Sequence, residues 1–257
     1  MKFLVLGIGG DARYAYTAQA LREDGCTVTE DPAEADVVIL PFHATQDGVH
    51  VWGTDVVLED VMAQVPAHAL LFGASAPFAV RNYLEEPGMR QMNAIPTAEG
   101  ALTLAMQHSP KTIWNSRCLV IGNGHVGNYL AKILCGMGAH VTQTARSAGG
   151  LAHAAAYGCQ PVELSRVAEV LPEQDIIFNS VPAPVLDEAA LRAIRSDAWL
   201  IEIAAGKHGF DPELAGKLGV HFVIGQKLPG TFSPYTGGRA IAEAVVRMVR
   251  EAQAQAE

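Results

Sequence analysis

The sequence lacks any long hydrophobic run. No apolar stretch approaches the roughly 18 to 20 residues that a membrane-spanning helix needs. Residues 3–7 are apolar, but the run is too short for the core of a signal peptide and has no small-residue cleavage site, so we expect a first β-strand there. We therefore predict no membrane partner and a cytoplasmic location.

Cysteine is scarce: Cys26, Cys118, Cys135 and Cys159 are the four in 257 residues. They form no Cys-x-x-Cys pair and no metal-ligand spacing, and the histidines form none either. Cys118 and Cys135 lie in apolar patterns typical of a strand and a helix, and we expect both to be buried like small hydrophobic residues. We predict a reducing compartment and no bound metal.

Positive charge is also in short supply. Lys and Arg number 18 against 27 Asp and Glu, which gives a formal net charge of -9. This balance argues against nucleic acid or an anionic membrane as the main partner, whereas an anionic cofactor needs only a local positive site. Hydrophobic residues make up 49% of the chain and charged residues 18%, which is typical of a globular protein. The length suits two domains.

What the sequence does contain is a repeated alternation of strand-like and helix-like segments. The predicted strands are nearly continuous apolar runs, as in parallel sheets covered on both faces. They span residues 2–7, 36–40, 69–72, 117–121, 140–144, 176–179, 198–203 and 221–224. Helices are predicted over residues 14–24 and 58–64, from Thr97 after Pro96, and over the amphipathic stretch 239–253.

This alternation predicts an α/β protein of two Rossmann-like domains with parallel sheets, and with cofactor and substrate in the interdomain cleft. We expect residues 1–96 to form an N-terminal substrate domain of the flavodoxin or Rossmann type. Residues 97–238 would form the cofactor domain, including the crossover helix. The C-terminal helix 239–257 would pack back on the first domain.

The most informative motif is Gly122-x-Gly124-x-x-Gly127, which follows an apolar strand and leads into a helical pattern. In dinucleotide-binding proteins these glycines allow a tight turn, close approach of the pyrophosphate, and close packing of helix on strand. The pyrophosphate would lie on the helix N-terminus, beside His125 and Val126. We therefore predict a nicotinamide dinucleotide cofactor.

The end of the next strand indicates which dinucleotide is bound. An NAD site usually has an acidic residue there, whereas this chain has Thr144, Arg146 and Ser147. A planar guanidinium and two hydroxyls suit a 2′-phosphate, which favours NADP(H); the alternative is a solvated surface arginine. Further cofactor contacts are expected at the ends of later strands, at Asn179, Val181, Pro182 and Ala204.

Several polar side chains follow the predicted strands of the first domain and are candidates for substrate contact. Arg13 is the leading candidate to hold a substrate carboxylate, although a salt bridge to Asp11 is the alternative. Asp11 is itself a candidate substrate contact after the first strand, and Thr45 and Ser75 follow later strands of the same domain.

The crossover helix supplies the other candidates. Asn93, Thr97 and Glu99 lie where this helix would enter the predicted cleft. Glu99 is interpreted either as a general base or as a residue that only caps the helix. Together with Arg13, these are our predicted catalytic residues.

Several segments resemble the family of dipicolinate synthase A subunits, in order and over nearly the whole chain. The most specific is Asn-Ala-Ile-Pro-Thr-Ala-Glu-Gly at residues 93–100. The others are residues 9–13, 39–41, 106–108, 145–147, 179–183 and 228–230, together with the glycine fingerprint.

The resemblance implies an NADP-dependent oxidoreductase of bacterial spore formation. Such an enzyme makes dipicolinate from a dihydrodipicolinate-type precursor, by hydride transfer to the nicotinamide. The resemblance further implies a small dicarboxylate substrate, a homo-oligomer, a partner that is small and flavoprotein-like, and a fold similar to D-2-hydroxyacid and alanine dehydrogenases.

The chain departs from the family pattern on the substrate side. One expected lysine is missing and another is displaced by about one position, so Lys207 or Lys227 would have to bind the substrate carboxylates, with Arg239 as a further option. Two alternatives therefore stay open. One is an NADP-dependent dehydrogenase of another small keto or imino acid, and the other is a non-catalytic NADP-binding subunit.

Overall fold

The computed structural model describes residues 1–255, which divide into two compact units. The first unit comprises Met1–Pro96 and the chain from Pro229 onward, and the second comprises Thr97–Leu228. Two residues of the predicted C-terminal helix, Ala256 and Glu257, lie outside the described residues. No helix within residues 1–255 is both long enough and apolar enough to cross a bilayer.

The first unit is built on a five-stranded parallel sheet. Its strands are β1 (Lys2–Val5), β2 (Thr27–Thr29), β3 (Val37–Ile39), β4 (Leu70–Gly73) and β5 (Arg81–Asn82). They lie in the order β2-β1-β3-β4-β5, which is that of flavodoxin-like sheets. Helices α1 (Ala12–Glu23) and α2 (Leu58–Met62) connect them.

A long helix, α3 (Pro87–His108), leads into the second unit, whose sheet has six parallel strands. They are β6 (Arg117–Ile121), β7 (His140–Ala145), β8 (Gln160–Glu163), β9 (Ile176–Asn179), β10 (Trp199–Glu202) and β11 (His221–Ile224). The connecting helices are α4 (His125–Gly136), α5 (Ala148–Ala156), α6 (Val167–Val170), α7 (Glu188–Ala193) and α8 (Pro212–Lys217). Helices α9 (Leu228–Phe232) and α10 (Pro234–Ala254) end the described chain.

The strand order of the second sheet is that of dinucleotide-binding folds. Taken as β8-β7-β6-β9-β10-β11, it is the Rossmann order with its switch point between β6 and β9. In register, Ile121 pairs with Thr144 of β7 and with Asn179 of β9. The predicted class, α/β with two parallel-sheet Rossmann-like domains, is confirmed.

Alternation along the strands divides the core of the first unit into two layers. Phe3 and Ile39 face one layer, where α1 and α10 pack together through side chains such as Leu21 and Ile241. Leu4 and Val38 face the other layer, with Leu58 of α2. In the second unit a third apolar layer joins the sheet to α7 and α8.

Helix α3 begins ten residues before the predicted start, so the prediction that Thr97 opens it is wrong. The helix starts with Pro87 in its first turn, and the Glu86 carboxylate accepts a hydrogen bond from the Met89 N–H at 2.5 Å. It continues through Pro96, although an internal proline costs one backbone hydrogen bond. The apolar face of the helix offsets this cost, since Ala94, Ala98, Ala101 and Ala105 are fully buried.

Helix α10 begins at Pro234 rather than at residue 239, with Ser233 as its N-cap. The prediction placed the glycines before the helix because glycine disfavours helix interiors. In the structure Gly237 and Gly238 lie inside α10 where it packs closely on α1. A Cβ at Gly238 would collide with the backbone oxygen of Arg13.

Three short strands, β2, β5 and β8, were not predicted. Their side chains are polar or partly exposed, and β8 contains Pro161 and lies at an edge of its sheet, so none forms an apolar run.

The four cysteines are free thiols. Burial raises the pKa of Cys118 to about 12, in agreement with its expected place in the core. Cys135 is only half-buried, contrary to the prediction, and its Sγ lies 3.7 Å from that of Cys159. The apolar helical pattern around Cys135 did not reveal that it lies at the edge of the buried face.

Candidate functional site

The glycine loop turns directly from β6 into α4. Gly122 follows the last residue of β6 with a φ of 111°, a conformation that favours glycine. Gly124 is the N-cap of α4. A Cβ at Gly127 would lie 2.5 Å from the Gly122 carbonyl oxygen, so this position requires glycine for close packing. The local roles predicted for Gly122 and Gly127 agree with this geometry.

The start of α4 fits the pyrophosphate of a dinucleotide. Within residues 1–255 no side chain caps the start of this 12-residue helix. The first-turn N–H groups of His125 and Val126 can therefore donate hydrogen bonds to a ligand. A Cβ at Gly124 would meet no atom within 4 Å, which leaves open space in front of the helix. His125 is exposed at the first helical position and Val126 is half-buried.

Thr144, which was predicted to contact the 2′-phosphate, supports the loop from inside. It is fully buried, and its hydroxyl accepts a hydrogen bond from the Gly122 N–H at 3.1 Å. The parallel pairing of β6 with β7 sets Thr144 beside Ile121, with its side chain turned to the loop interior. Ser180, a residue that the sequence analysis did not single out, donates to the Ile121 carbonyl oxygen at 2.9 Å.

Arg146 and Ser147 lie where β7 leads into α5. Arg146 is exposed, and its guanidinium forms no ion pair or hydrogen bond with the part of the chain that is described. Ser147 is the N-cap of α5 and accepts from the Gly150 N–H at 3.1 Å. An exposed cation beside a helix N-terminus is well suited to a phosphate group.

At the ends of β9 and β10, a buried carboxylate holds two loops together. Glu202 is fully buried and accepts hydrogen bonds from the Asn179 side-chain amide, the Ala204 N–H and the Gly209 N–H at 2.9 to 3.0 Å. The Asn179 amide also donates to the Val181 carbonyl at 3.1 Å.

Asn179 is therefore a support for these loops, because its amide is buried and bonded internally. That the segment from Asn179 to Pro182 passes near the cofactor stays a prediction. Val181 is half-buried and Pro182 is exposed just beyond it. Ala204 is half-buried, and its N–H is taken by Glu202.

Residues 203–209 form a loop anchored at both ends by Glu202. Gly206 has a φ of 84°, and the next residue, Lys207, is exposed. Lys227 is also exposed and has a φ of 52°, a left-handed conformation that is unusual for lysine. Both lysines thus present ammonium groups at the surface of the second unit.

Arg13 forms the salt bridge to Asp11 that was the alternative interpretation. Both side chains are 3 to 4% exposed, and the Arg13 Nη2 lies 2.7 Å from the Asp11 Oδ2. The guanidinium also lies 4.2 Å from the ring centre of Phe42, in a cation–π contact. Burial by itself lowers the pKa of Arg13, but the hydrogen bond and charge of Asp11 more than offset this, so its pKa is raised.

Asp11 has a second structural role, because it is the N-cap of α1 and accepts from the Arg13 N–H at 3.0 Å. The geometry assigns Arg13 and Asp11 to the interior of the first unit, where they fix the start of α1. The sequence could not distinguish this from a substrate clamp, because both interpretations need the same two residues at the same spacing.

The other predicted substrate contacts are dispersed. Thr45 belongs to a turn in which its hydroxyl donates to Asp47 and accepts from the Gly48 N–H. Ser75 is exposed after β4. Asn93 and Thr97 are half-buried in α3, and Glu99 is exposed in the middle of that helix, so it does not cap the start of α3.

A hollow of about 280 Å³ opens near the amino ends of β6 and β7, whereas the glycine loop follows the carboxyl end of β6; it is lined by Arg117, His140, Glu173 and Gln174 among others. Arg117 and Glu173 pair with each other there at 2.7 Å. The hollow is therefore remote from the glycine loop, and we assign it no role in cofactor binding.

Sequence reasoning missed the buried polar residues that support the loops, above all Gln143 and Glu202. The signal was present, since each interrupts or ends a strand that is otherwise apolar. A fully buried amide or carboxylate in such a strand requires hydrogen-bond partners, which usually belong to neighbouring loops.

Comparison with known proteins places this geometry in a family. Residues 90–218 match the model described as D-isomer specific 2-hydroxyacid dehydrogenase, NAD binding domain. The chain is 30% identical over 248 residues to the A subunit of dipicolinate synthase from Bacillus subtilis (strain 168), covering 90% of this chain and 83% of that protein.

Two crystal structures are similar over nearly their whole length. The A chain of dipicolinate synthase from Bacillus subtilis is 27% identical with a TM-score of 0.86, and covers 99% of this chain and 97% of that one. The corresponding dipicolinate synthase chain from Bacillus halodurans is 26% identical with a TM-score of 0.85, and covers 96% of each chain.

Three features define the class: the Rossmann strand order, the glycine loop that leads into α4, and the matching family model. The chain is an oxidoreductase with a nicotinamide dinucleotide-binding domain of the dehydrogenase type. Within that class the relatives agree on one kind of protein. The chain belongs to the family of dipicolinate synthase A subunits. The resemblance seen in the sequence is thereby confirmed.

Substitution of single glycines tests the loop assignment. Gly124→Ala should leave the melting temperature nearly unchanged, because the added methyl meets no protein atom, but should weaken dinucleotide binding about tenfold or more by blocking the backbone donors. Gly127→Ala should lower both stability and binding, because its methyl meets the Gly122 carbonyl. Thermal unfolding and fluorescence titration with NADPH would measure both effects. Unchanged NADPH binding by Gly124→Ala would show that the pyrophosphate does not bind at this loop.

Proposed function

We propose that this chain oxidises a dihydrodipicolinate-type dicarboxylate to dipicolinate with NADP⁺. The observation that carries the proposal is the 30% identity to a dipicolinate synthase chain across 90% of this one. The relative's name supplies the product, and the glycine loop on β6 and α4 supplies a place for the dinucleotide. The loop after β1 has a similar glycine pair, Gly7 and Gly9, but there the Asp11 side chain caps the start of α1.

The choice of NADP(H) over NAD(H) rests on Arg146. A planar guanidinium without a partner among the described residues stands at the end of β7, where an NAD-specific site usually has an acidic residue. The first N–H groups of α5, at Ala148 and Gly149, follow directly and add a favourable helix dipole for an anion. Ser147 is the next residue and is proposed to contribute its hydroxyl to the 2′-phosphate. Thr144 is not available for this contact, because it is buried and bonded to the Gly122 N–H.

The reaction removes two hydrogens from a dihydropyridine ring. When bound, the nicotinamide accepts one of them as a hydride, and the other leaves as a proton. We assign the substrate carboxylates to Lys207 and Lys227, the exposed cations of the loops near the sheet ends. Glu99, an exposed carboxylate on α3, is the candidate proton acceptor, with water as the alternative. Asn93 and Thr97 lie one turn apart on the same helix and are proposed to orient the substrate.

The loop that bears Lys207 is rigid at both ends, because the Glu202 carboxylate accepts hydrogen bonds from Ala204 and Gly209. This anchoring fixes where the ammonium group can reach. A carboxylate clamp of this kind contributes orientation as well as binding, which matters for hydride transfer between two rings.

The assembly and cellular setting are part of the same proposal. The relatives are named as the A subunit or A chain of their enzyme, which implies at least one further subunit. We therefore propose that this chain works with a small flavoprotein-like partner, the B subunit. We further propose a homo-oligomer that acts in the cytoplasm of a spore-forming cell.

A coupled assay tests the function. The purified chain is mixed with NADP⁺ and freshly generated dihydrodipicolinate, with and without a candidate partner protein, and NADPH and dipicolinate are followed together. We expect both to rise in equal amounts, and faster with NADP⁺ than with NAD⁺. If neither rises in a preparation that binds NADPH, the dipicolinate reaction is excluded for this chain.

A second candidate function is that of an NADP-dependent dehydrogenase of another small keto or imino acid, which NADPH would reduce by hydride transfer. Two of the predicted substrate-binding residues favour it. Lys207 is displaced from the position of the family's lysine, and Arg13 is paired with Asp11 in a buried salt bridge. The same preparation, offered a panel of such acids, would decide between the two. A chain that binds NADPH but reduces none of them, and does not form dipicolinate, would be a non-catalytic NADP-binding subunit.

A further inference from the structure

We propose that Gln143, acting through Asn128 and Asn123, is the positioning residue that holds the glycine loop in its dinucleotide-binding shape. The inference rests on the assignment of this loop to the cofactor, and adds the side chains that prepare it. None of the three is one of the fingerprint glycines, although Asn123 lies between Gly122 and Gly124.

Gln143 is a buried amide in the middle of β7. It is 1% exposed, although strands covered on both faces are normally apolar, and a buried amide is costly unless it is hydrogen-bonded. Its Nε2 uses both hydrogens, donating to the Gly122 carbonyl at 3.1 Å and to the Asn128 Oδ1 at 2.9 Å. One side chain thus joins β7 to the first glycine and to the first turns of α4.

Asn128 extends this connection to the loop. Its Oδ1 accepts a second hydrogen bond, from the Asn123 Nδ2 at 2.7 Å, and its own amide lies 3.4 Å from the Asn123 carbonyl oxygen. The Asn123 Oδ1 in turn lies 2.8 Å from where a Cβ of Gly150 would be, so it packs on the start of α5. The three amides connect the helix N-termini proposed for the pyrophosphate and for the 2′-phosphate.

The effect is to fix both peptide groups of Gly122. Its N–H is held by Thr144 and its carbonyl by Gln143, which keeps φ at 111° and turns the carbonyl dipole inward. The N–H groups at the start of α4 are then left to face an anion. Because the loop is ordered on folding, little ordering entropy remains to oppose binding.

This role predicts a particular pattern of cofactor affinities. Gln143→Met, which keeps the volume but removes both donors, should weaken NADPH and NADH by the same factor, about tenfold. Arg146→Ala, in contrast, should weaken the binding of NADPH alone. Gln160→Met is the matched control, because Gln160 is an exposed glutamine on β8 and its variant should bind both cofactors like the wild type.

A second variant distinguishes positioning from simple packing. Gln143→Glu presents a carboxyl whose protonated form can donate to the Gly122 carbonyl and whose ionised form repels it. The dissociation constant of this variant for NADH, divided by that of the wild type at the same pH, should therefore fall several-fold when the pH is lowered from 8.5 to 6. NADH is the probe because it has no 2′-phosphate to titrate. A volume effect would not vary with pH.

Asn123→Ala guards against variants that fail to fold, because Asn123 is half-buried in a loop rather than inside the sheet. It should weaken both cofactors by a smaller, equal factor at an unchanged melting temperature. The proposal is overturned if Gln143→Met and Asn123→Ala bind both cofactors like the wild type, or if the relative affinity of Gln143→Glu is the same at both pH values. A wild type that binds neither cofactor would instead refute the cofactor assignment, and this inference with it.

Discussion

Arg146→Ala is expected to weaken NADPH binding about 30- to 150-fold, which corresponds to about 2–3 kcal/mol for charge-assisted hydrogen bonds to a phosphate. NADH, which has no 2′-phosphate, should bind within about twofold of its wild-type affinity. The physical reason is that Arg146 stands at the end of β7 without a partner among the described residues, so its loss leaves the protein intact. Arg146→Lys should give an intermediate loss, because a lysine keeps the charge without the planar fork.

Fluorescence titration with both cofactors would measure these affinities. Arg192→Ala is the control: it removes the same charge from the second unit, but at an exposed pair with Glu188 on α7. The NADPH affinity of the wild type should also fall more steeply with salt than that of Arg146→Ala. Equal losses of NADPH and NADH in Arg146→Ala would contradict the 2′-phosphate assignment.

Asp11→Ala is expected to destabilise the first unit by about 3–5 kcal/mol, because it leaves the Arg13 guanidinium buried without its partner. The variant also loses the N-cap of α1. Asp11→Asn keeps a capping side chain but not the charge, so it should retain only the smaller capping part of the stability. The double variant Asp11→Asn/Arg13→Met should be more stable than Asp11→Asn, because no unpaired charge remains.

Hydrogen–deuterium exchange measured by mass spectrometry would assign the loss to α1 and its neighbours, and denaturant unfolding would give its size. Asp187→Ala is the matched control, since Asp187 caps α7 through the Ala190 N–H without any buried cation, and should cost only about 1 kcal/mol. A stable Asp11→Ala protein would contradict the structural role of the pair.

The same variants separate stability from substrate binding. If Arg13 contacts substrate, the double variant should bind NADPH normally and remain inactive. If Arg13 is structural, activity should return together with stability. This comparison decides between the two interpretations that the sequence left open.

Much of the cofactor site could be predicted from the sequence because its determinants are local. The turn at Gly122 and the start of α4 depend on a few consecutive residues, and strands β6, β9 and β11 begin and end where the apolar runs do. The identity of the residue after β7 is likewise a local fact. These features follow from backbone sterics and from hydrophobic patterning over short distances.

Other features depended on contacts between distant segments. Helix α3 continues through Pro96 because its alanine face is buried, and α10 contains Gly237 and Gly238 because α1 packs against them. Propensity favoured a break at each position, and tertiary packing outweighed it.

By itself the sequence determined the α/β class, the family and the position of the glycine loop, since each is encoded in contiguous motifs and their order. Only the tertiary structure decided which polar side chains are supports and which are available to a ligand. Asn179, Thr144 and Arg13 all precede or follow strand ends as ligand-binding residues do, yet each is buried and bonded within the protein. Arg146, in a similar position, remains exposed. The difference is burial, and burial is set by segments far away in the chain.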